Sequence, residues 1–407
     1  MTTPEQHLMK HTRSAWNIFY GRWRFGPFAQ MLTAFLCANA TGIIMIAMAW
    51  RIKDLGGGTG ALGAIGGMYM GVYLLSLVGI GSKLDKWGAK QVIVPGMCIA
   101  ACVYFLTPIL DNVGLLLAVT GLLGLLNGLL WPPLMAWVTA GLTGRNLNRR
   151  AGRYNLSWTI GSITGALLGG PLYYWGHWVP FVFCGCLAII VVISLAATRN
   201  RRTSASTPRK AKTRAPEPEP RLESFLLTSR LALFTAWIMY GALRTPITAL
   251  LIEMGLGPIY NSVLAGAISS SMAVGFFIFG ASGRWHFNRW ILAAGQLSAA
   301  IMVLTIPWAA GPVMLLAVTA LSMPGTTLTY ASHMFYSASG DRNKAGAMAI
   351  HEFTLGAGGA IGSFGGGILA SFIGIRWVYP AIGMIVIVSV LVQLVIQPRL
   401  TQTSNRL

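Results

Sequence analysis

Threaded through a membrane twelve times, this chain places 26 of its 30 Lys and Arg residues on one side. That asymmetry limits the fold sharply, because hydrocarbon admits only structures that satisfy their own backbone, and basic loops fix which way such structures run. The apolar stretches fall at 27–50, 60–82, 92–110, 114–141, 154–175, 178–197, 231–253, 261–282, 289–308, 311–335, 346–373 and 377–397. Most hold the ~20 residues a helix needs to cross ~30 Å of hydrocarbon. With the N-terminus inside, the inner segments collect Lys10 to Arg24, Lys83 to Lys90, Arg145 to Arg153, Arg199 to Arg230, Arg284 with Arg289, Arg342 with Lys344, and Arg399 with Arg406. The outer side keeps Arg51, Lys53 and Arg376, and Arg244 lies within a span. The expected setting is therefore the cell (inner) membrane, crossed many times, with both termini in the cytoplasm.

A length of 407 residues would suit two or three soluble domains, but 55% hydrophobic against 10% charged residues puts the chain in the membrane class. A net charge of +20 invites a nucleic-acid reading. The bases are scattered over short inner segments with no aromatic-basic patch, so the bilayer is an expected partner and nucleic acid is not. The opening MTTPEQHLMKHTRSAW is too polar for a secretion signal. Trp16, Phe19, Tyr20, Trp23 and Phe25 among Arg13, Arg22 and Arg24 suit an interfacial anchor. Cys37, Cys98, Cys102, Cys184 and Cys186 all fall in spans and read as packing residues, with no disulfide or metal-ligand spacing. The run Gly56 to Gly60 lacks the Lys-Ser/Thr of a phosphate loop and reads as an outer turn. No nucleophile-base-acid set occurs in a soluble stretch. An enzyme, a metal site and a cofactor are accordingly not expected.

The stretch 199–224 is rich in Pro, Ser and charge, lacks apolar periodicity, and divides six spans from six. The expected organisation is an interfacial segment 1–26, a six-helix bundle 27–198, a linker 199–227, a second bundle 228–398 and a tail 399–407. The halves echo one another weakly, as duplicated transporters do. LTAF at 32–35 matches FTAW at 234–237, LGAIG at 62–66 matches AGAIS at 265–269, and Lys86-Trp87 matches Arg284-Trp285. Gly161, Gly165 and Gly169 in span five, and Gly358, Gly362 and Gly366 in span eleven, each line one helix face. They read either as ordinary helix packing or as surfaces across which the two halves rock, and the paired placement favours the second.

After span two come Gly81, Asp85, Lys86, Gly88 and Lys90, in the order glycine, three residues, aspartate, base, one residue, glycine, then bases. This resembles the signature loop of the major facilitator superfamily, with Ala89 where that family usually has Arg. The resemblance covers about residues 27–397. It implies an all-α membrane protein of twelve helices in two pseudo-symmetric six-helix bundles. It also implies that Asp85 holds an inner gate shut against the start of span eleven, a carboxylate meeting the positive end of a helix. Gly161, Gly165, Gly169 and Pro171 in span five look like the motif of that family's exporters, although Ala166 stands where proline is usual. Span four, at Gly124 to Gly128, lacks the arginine of proton-antiporting drug exporters.

Ionisable groups in hydrocarbon are costly and tend to face a cavity or a partner. Arg244, near the middle of span seven and two residues before the helix-loosening Pro246, is the leading candidate for binding an anionic or polar group; the alternative is an arginine held by carbonyls for structure. Glu352 in span eleven, with His351 beside it, reads either as a proton-coupling pair or as a carboxylate fixed to Arg153. Glu253 and Asp54 read as rim residues. By the resemblance, Asn39 and Thr41, Asn127 and Trp131, Tyr240, and Thr326 and Tyr330 are cavity walls in spans one, four, seven and ten. Trp131-Pro132-Pro133 and Met323-Pro324-Gly325 are expected to break backbone hydrogen bonding at comparable depths. The sequence thus points to a monomeric secondary transporter that exports a small amphiphilic or anionic solute, coupled to protons. Uptake by symport or facilitated diffusion is one alternative, and a sensor or assembly factor that no longer transports is another.

Overall fold

The computed structural model describes residues 25–142, 144–198, 221–339 and 344–404, with the side chains of 25, 78–87, 144–145, 147–148, 338, 344–348 and 398–404 excepted. Among the described residues all regular structure is helical: α1 (Phe25–Asp54), α2 (Thr59–Trp87), α3 (Ala89–Leu106), α4 (Val113–Thr139), α5 (Gly144–Trp175), α6 (Val179–Ala196), α7 (Leu222–Ala242), α8 (Ile247–Glu253), α9 (Pro258–Ala281), α10 (Arg289–Leu304), α11 (Pro312–Ser339), α12 (Lys344–Ile373) and α13 (Ile375–Ser404). Counting α7 and α8 as two parts of one span, twelve crossings result, of which 11 are long and apolar enough by composition alone to cross a membrane. The twelfth, α5, carries Arg145, Arg149, Arg150 and Arg153 in its first turns and a remainder rich in Gly, Ser and Thr. α7 begins at Leu222, six residues before the expected bundle boundary, because Leu222 and Phe225 are buried against Tyr336 of α11.

Helix ends follow local chemistry. The Asn112 carboxamide accepts from Leu115 N at 3.1 Å to start α4, and the Asn288 carboxamide accepts from Trp290 N and Ile291 N to start α10. Gly88 separates α2 from α3 at φ 78°, a left-handed turn that glycine adopts without steric cost. α4 and α11 continue as helices through Pro132, Pro133 and Pro324, each of which still withholds one backbone N–H from the helix. The proline that does break a span is Pro246: residues 243–246 leave the helix, and Arg244 sits in the gap.

The glycine stripes lie inside the halves rather than between them, which corrects the rocking-surface expectation. A Cβ on Gly161 or Gly165 would collide with the backbone of Phe35 or Asn39 in α1, and one on Gly169 with Ile46. Equivalent atoms on Gly358 and Gly362 would strike Phe234 and Ile238 in α7, while Gly366 faces Ala242 and Pro246. Each stripe lets two long backbones approach, replacing side-chain contact with close backbone packing.

The halves meet through α2 against α12 and α5 against α9. Different glycines make that contact. A Cβ on Gly63 would lie 2.5 Å from Gly367 Cα and from the Ser363 carbonyl, and one on Gly67 2.7 Å from Phe364 Cβ. Gly170 N donates to the Ser262 hydroxyl. These contacts seal the face opposite the basic one. On the same face, Arg51 pairs with Asp111, the Tyr173 hydroxyl donates to Asp54 at 2.6 Å, and Arg376 pairs with Glu253 at 2.6 Å.

Candidate functional site in the interface between the halves

Where the seventh span breaks, the backbone turns Arg244 back along α7. Its Nη1 donates to the Tyr240 hydroxyl at 2.9 Å and its guanidinium lies 5.6 Å from that ring. Across the interface, Tyr69 of α2 lies within electrostatic reach of the same charge. Among the described residues Arg244 has no carboxylate partner, so a cation stands partly buried with only tyrosines beside it. An anionic or polar solute group is the kind of partner such a cation accepts.

Aromatic rings continue the wall. Trp237 packs at 5.5 Å from both Tyr240 and Tyr330, and Tyr330 sets its edge against Phe276 at 5.1 Å and against His351 at 4.7 Å. Trp237 and Tyr240, three apart, share one face of α7, and the break brings Arg244 back against Tyr240.

About a helical turn along α2 from Tyr69, Tyr73 presents its hydroxyl to the Glu352 carboxylate of α12. Tyr154 of α5 and Tyr330 of α11 are close enough to feel the same charge. Glu352 is partly buried, and among the described residues it forms no ion pair; Arg153, the alternative partner read from the sequence, is exposed. A carboxylate between two halves, with one tyrosine hydroxyl turned to it and no ion pair among the described residues, is stable only if its charge is solvated, shared or neutralised, and a proton neutralises it.

Behind Glu352 runs a chain of ring nitrogens. Arg230 Nε donates to His333 Nε2 at 3.5 Å, and Nδ1 of His333 lies 2.7 Å from Nδ1 of His351 with the rings nearly parallel. Arginine only donates, so His333 Nε2 accepts and the neutral ring carries its proton on Nδ1. That proton is donated to His351 Nδ1, which leaves the His351 proton on Nε2. His351 Nε2 is a buried atom without a hydrogen-bond partner among the described residues. Protonating both rings would set two N–H groups against each other, so the dyad holds one bridging proton at a time.

The other residues read from the sequence fall elsewhere. Asn39 is 4% exposed and donates to the Thr164 hydroxyl at 2.8 Å, joining α1 to α5 within the first half. Trp131 donates to Asn127 at 3.0 Å, and Asn127 and Thr41 line a cavity of about 20 Å³ between α1, α3 and α4, room for no more than a water. Thr326 is fully buried and donates to the Ser322 carbonyl of its own helix. Lys90 holds the end of α6, donating to the carbonyls of Ala196 and Thr198. Gly81, Asp85 and Lys86 fall on the last turns of α2, with the contacts of Asp85 and Lys86 outside the described residues. Pro171 lies within α5 next to Gly170, which meets α9. Sequence reasoning passed over Trp237, Tyr69, Tyr73, Tyr154, His333 and Arg230. The signal was present as spacing: Tyr69 and Tyr73 are four apart, and Tyr330 and His333 three apart.

The family model described as Major Facilitator Superfamily matches residues 31–340. The chain belongs to that superfamily. It is a multi-pass membrane protein of the transporter type, built on the twelve-helix frame described above. Solved structures with the same fold include a bacterial homologue of the human lysosomal transporter Spinster in an inward-facing, occupied conformation, with TM-score 0.69 and 16% identity over 94% of this chain and 96% of that one. A peptide transporter, POT, has TM-score 0.71 and 16% identity over 93% and 95%. A nucleoside transporter, NupG, has TM-score 0.64 and 13% identity over 91% and 99%. At these identities the likeness is one of fold. No curated protein matches the sequence.

Proposed function

We propose that the protein exports a small organic solute with an anionic or polar group by alternating access, in exchange for protons, across the cell (inner) membrane with its basic face in the cytoplasm. Arg244 takes the polar group and Trp237, Tyr240 and Tyr330 its apolar body. Glu352 carries the coupling proton. The observation that supports this most is the position of Glu352, between the halves, without an ion pair among the described residues, with the Tyr73 hydroxyl of α2 turned to it and Tyr154 and Tyr330 within electrostatic reach. When the carboxylate is charged, dehydrating it costs several kcal/mol, of order 2–7 for an uncompensated polar group and more for a charge. When it is protonated, the halves close over it at far lower cost. The closing motion is therefore biased by the proton.

The His333–His351 dyad lies beside this carboxylate in sequence and offers a single exchangeable proton between Arg230 and the core. Export is the direction favoured by the exporter-like glycines and proline of α5. Symport of an anion with protons is the second reading, favoured by one observation: Arg244 and Glu352 form no pair with each other, so an anion on one and a proton on the other can be held together. Proteoliposomes of both orientations, loaded with candidate solutes under an imposed pH gradient, separate the two. Gradient-driven movement should fall to background in Glu352→Gln while solute exchange without a gradient survives. Full gradient-driven transport by that variant would remove Glu352 from the coupling role.

A further inference from the structure

At the basic face of the second half lies a cavity of about 400 Å³ that the transport site does not use. Arg221 lines it from the start of α7, Arg284 and Arg289 from the turn between α9 and α10, and Gln397 from the end of α13. No carboxylate is among its lining residues.

The turn that carries two of these arginines is built rather than loose. Phe287 adopts φ 52°, a left-handed backbone that a bulky residue rarely takes unless its surroundings impose it. They do so here: Phe287 N donates to the Tyr336 hydroxyl at 2.9 Å, and its ring packs 5.4 Å from Phe225 and 5.2 Å from Tyr336. Trp285 Nε1 donates to the Phe279 carbonyl at 3.0 Å, tying the turn to the end of α9. The result fixes Arg284 and Arg289 on one mouth. Arg221 leans over the Phe287 ring at 5.9 Å, and Arg289 over Trp290 at 4.9 Å.

Arg284 and Arg289 bring two guanidinium groups to one mouth, and their planar forks suit the oxygens of a phosphate. The start of α10 borders the same space, with the N–H groups of Trp290 and Ile291 taken by the Asn288 carboxamide. His286 stacks on Phe335 at 3.9 Å, and burial holds its imidazole below the ordinary histidine range. At neutral pH the ring thus adds no charge to the mouth. Trp290, 62% exposed beside the mouth, is a residue type that settles at the headgroup level of a bilayer.

We propose that this cavity binds a phosphate-bearing anion, either the headgroup of an anionic phospholipid or a free phosphorylated solute, and that the bound anion ties the start of α7 to the α9–α10 turn. Native mass spectrometry of the full chain in detergent, titrated separately with dihexanoyl phosphatidylglycerol, dihexanoyl phosphatidylcholine and pyrophosphate, tests it. Phosphatidylglycerol should bind about tenfold or more tightly than phosphatidylcholine, and R284Q/R289Q should lose roughly tenfold in that affinity. R149Q/R153Q, which removes as many charges from the basic end of α5, should lose nothing. Pyrophosphate binding with the same sensitivity identifies a soluble source; phosphatidylglycerol binding without it identifies the lipid. Equal loss in both double variants, or phosphatidylcholine binding as well as phosphatidylglycerol, would overturn the proposal. Hydrogen exchange on the unaltered protein guards against misfolding of the variants: residues 284–290 should exchange more slowly with phosphatidylglycerol or pyrophosphate present, and an unchanged rate with both refutes the site.

Discussion

The two halves share a frame and differ in chemistry. Each packs a glycine-striped helix against the backbone of its first span, α5 on α1 and α12 on α7. The six apolar stretches of the first half contain no Lys, Arg, Asp, Glu or His, whereas those of the second hold Arg244, His333, His351 and Glu352 within them, Glu253 and Arg289 at their ends, and Arg230 just outside. Close packing can be duplicated because it needs only small residues at the right spacing. Charge in hydrocarbon is too costly to duplicate without use, and its concentration in one half is why the binding and coupling roles are proposed there, with the other half as the wall it works against.

The comparison breaks most visibly at Glu352. Glu352→Gln should abolish gradient-driven transport, while Tyr73→Phe, its partner in the first half, should lower the rate several-fold and keep coupling, measured as solute accumulation against imposed pH gradients. Equal loss from both would show that coupling is shared by the halves. Next in size is the seal: Gly63→Val meets the Gly367 Cα and the Ser363 carbonyl, which no rotamer change can relieve. This variant should leave the face opposite the basic one open, seen as thiol labelling of cysteines introduced along the interface-facing side of α2. Arg244→Ala should weaken solute binding about tenfold, the loss of one charge-assisted contact, with Arg244→Lys recovering part of it. Unchanged affinity in a direct binding titration would make Arg244 a structural residue. Smallest, and alike in the two halves, should be Gly165→Ala and Gly362→Ala. Each forces a methyl into a backbone and should cost about 1–3 kcal/mol, read as a lower melting temperature. A drop in one half only would mean that the frames are not equivalent.

How much of this the sequence disclosed depends on the kind of signal. Span number and positions were legible because crossing hydrocarbon demands a long apolar run, and α5 was recognisable despite its basic first turns. Arg244, His351 and Glu352 stood out as ionisable residues in apolar stretches, and Pro246 announced the break beside Arg244. What one chain does not disclose is rotation about each helix axis. Asn39, Asn127 and Thr326 were expected to line the central space and instead satisfy neighbours inside their own bundles, as buried polar groups must. The glycine stripes were ambiguous for the same reason, since spacing shows that they share a face and not what that face meets. Tyr73 and Tyr154 escaped notice because tyrosine in a span ordinarily anchors an interface, and only the fold brings them to the charge on Glu352.

The rim opposite the basic face carries a last consequence. Its ion pairs, Arg51 with Asp111 and Arg376 with Glu253, each join residues of a single half, and among the described residues the contacts that cross between halves there are uncharged, the hydrogen bond from Gly170 N to the Ser262 hydroxyl included. Parting the halves on that side breaks no ion pair among the described residues. Its free energy of opening should consequently be almost indifferent to the ionic strength of the surrounding medium, so a chain of this construction can work in dilute and in salty water without retuning its gate.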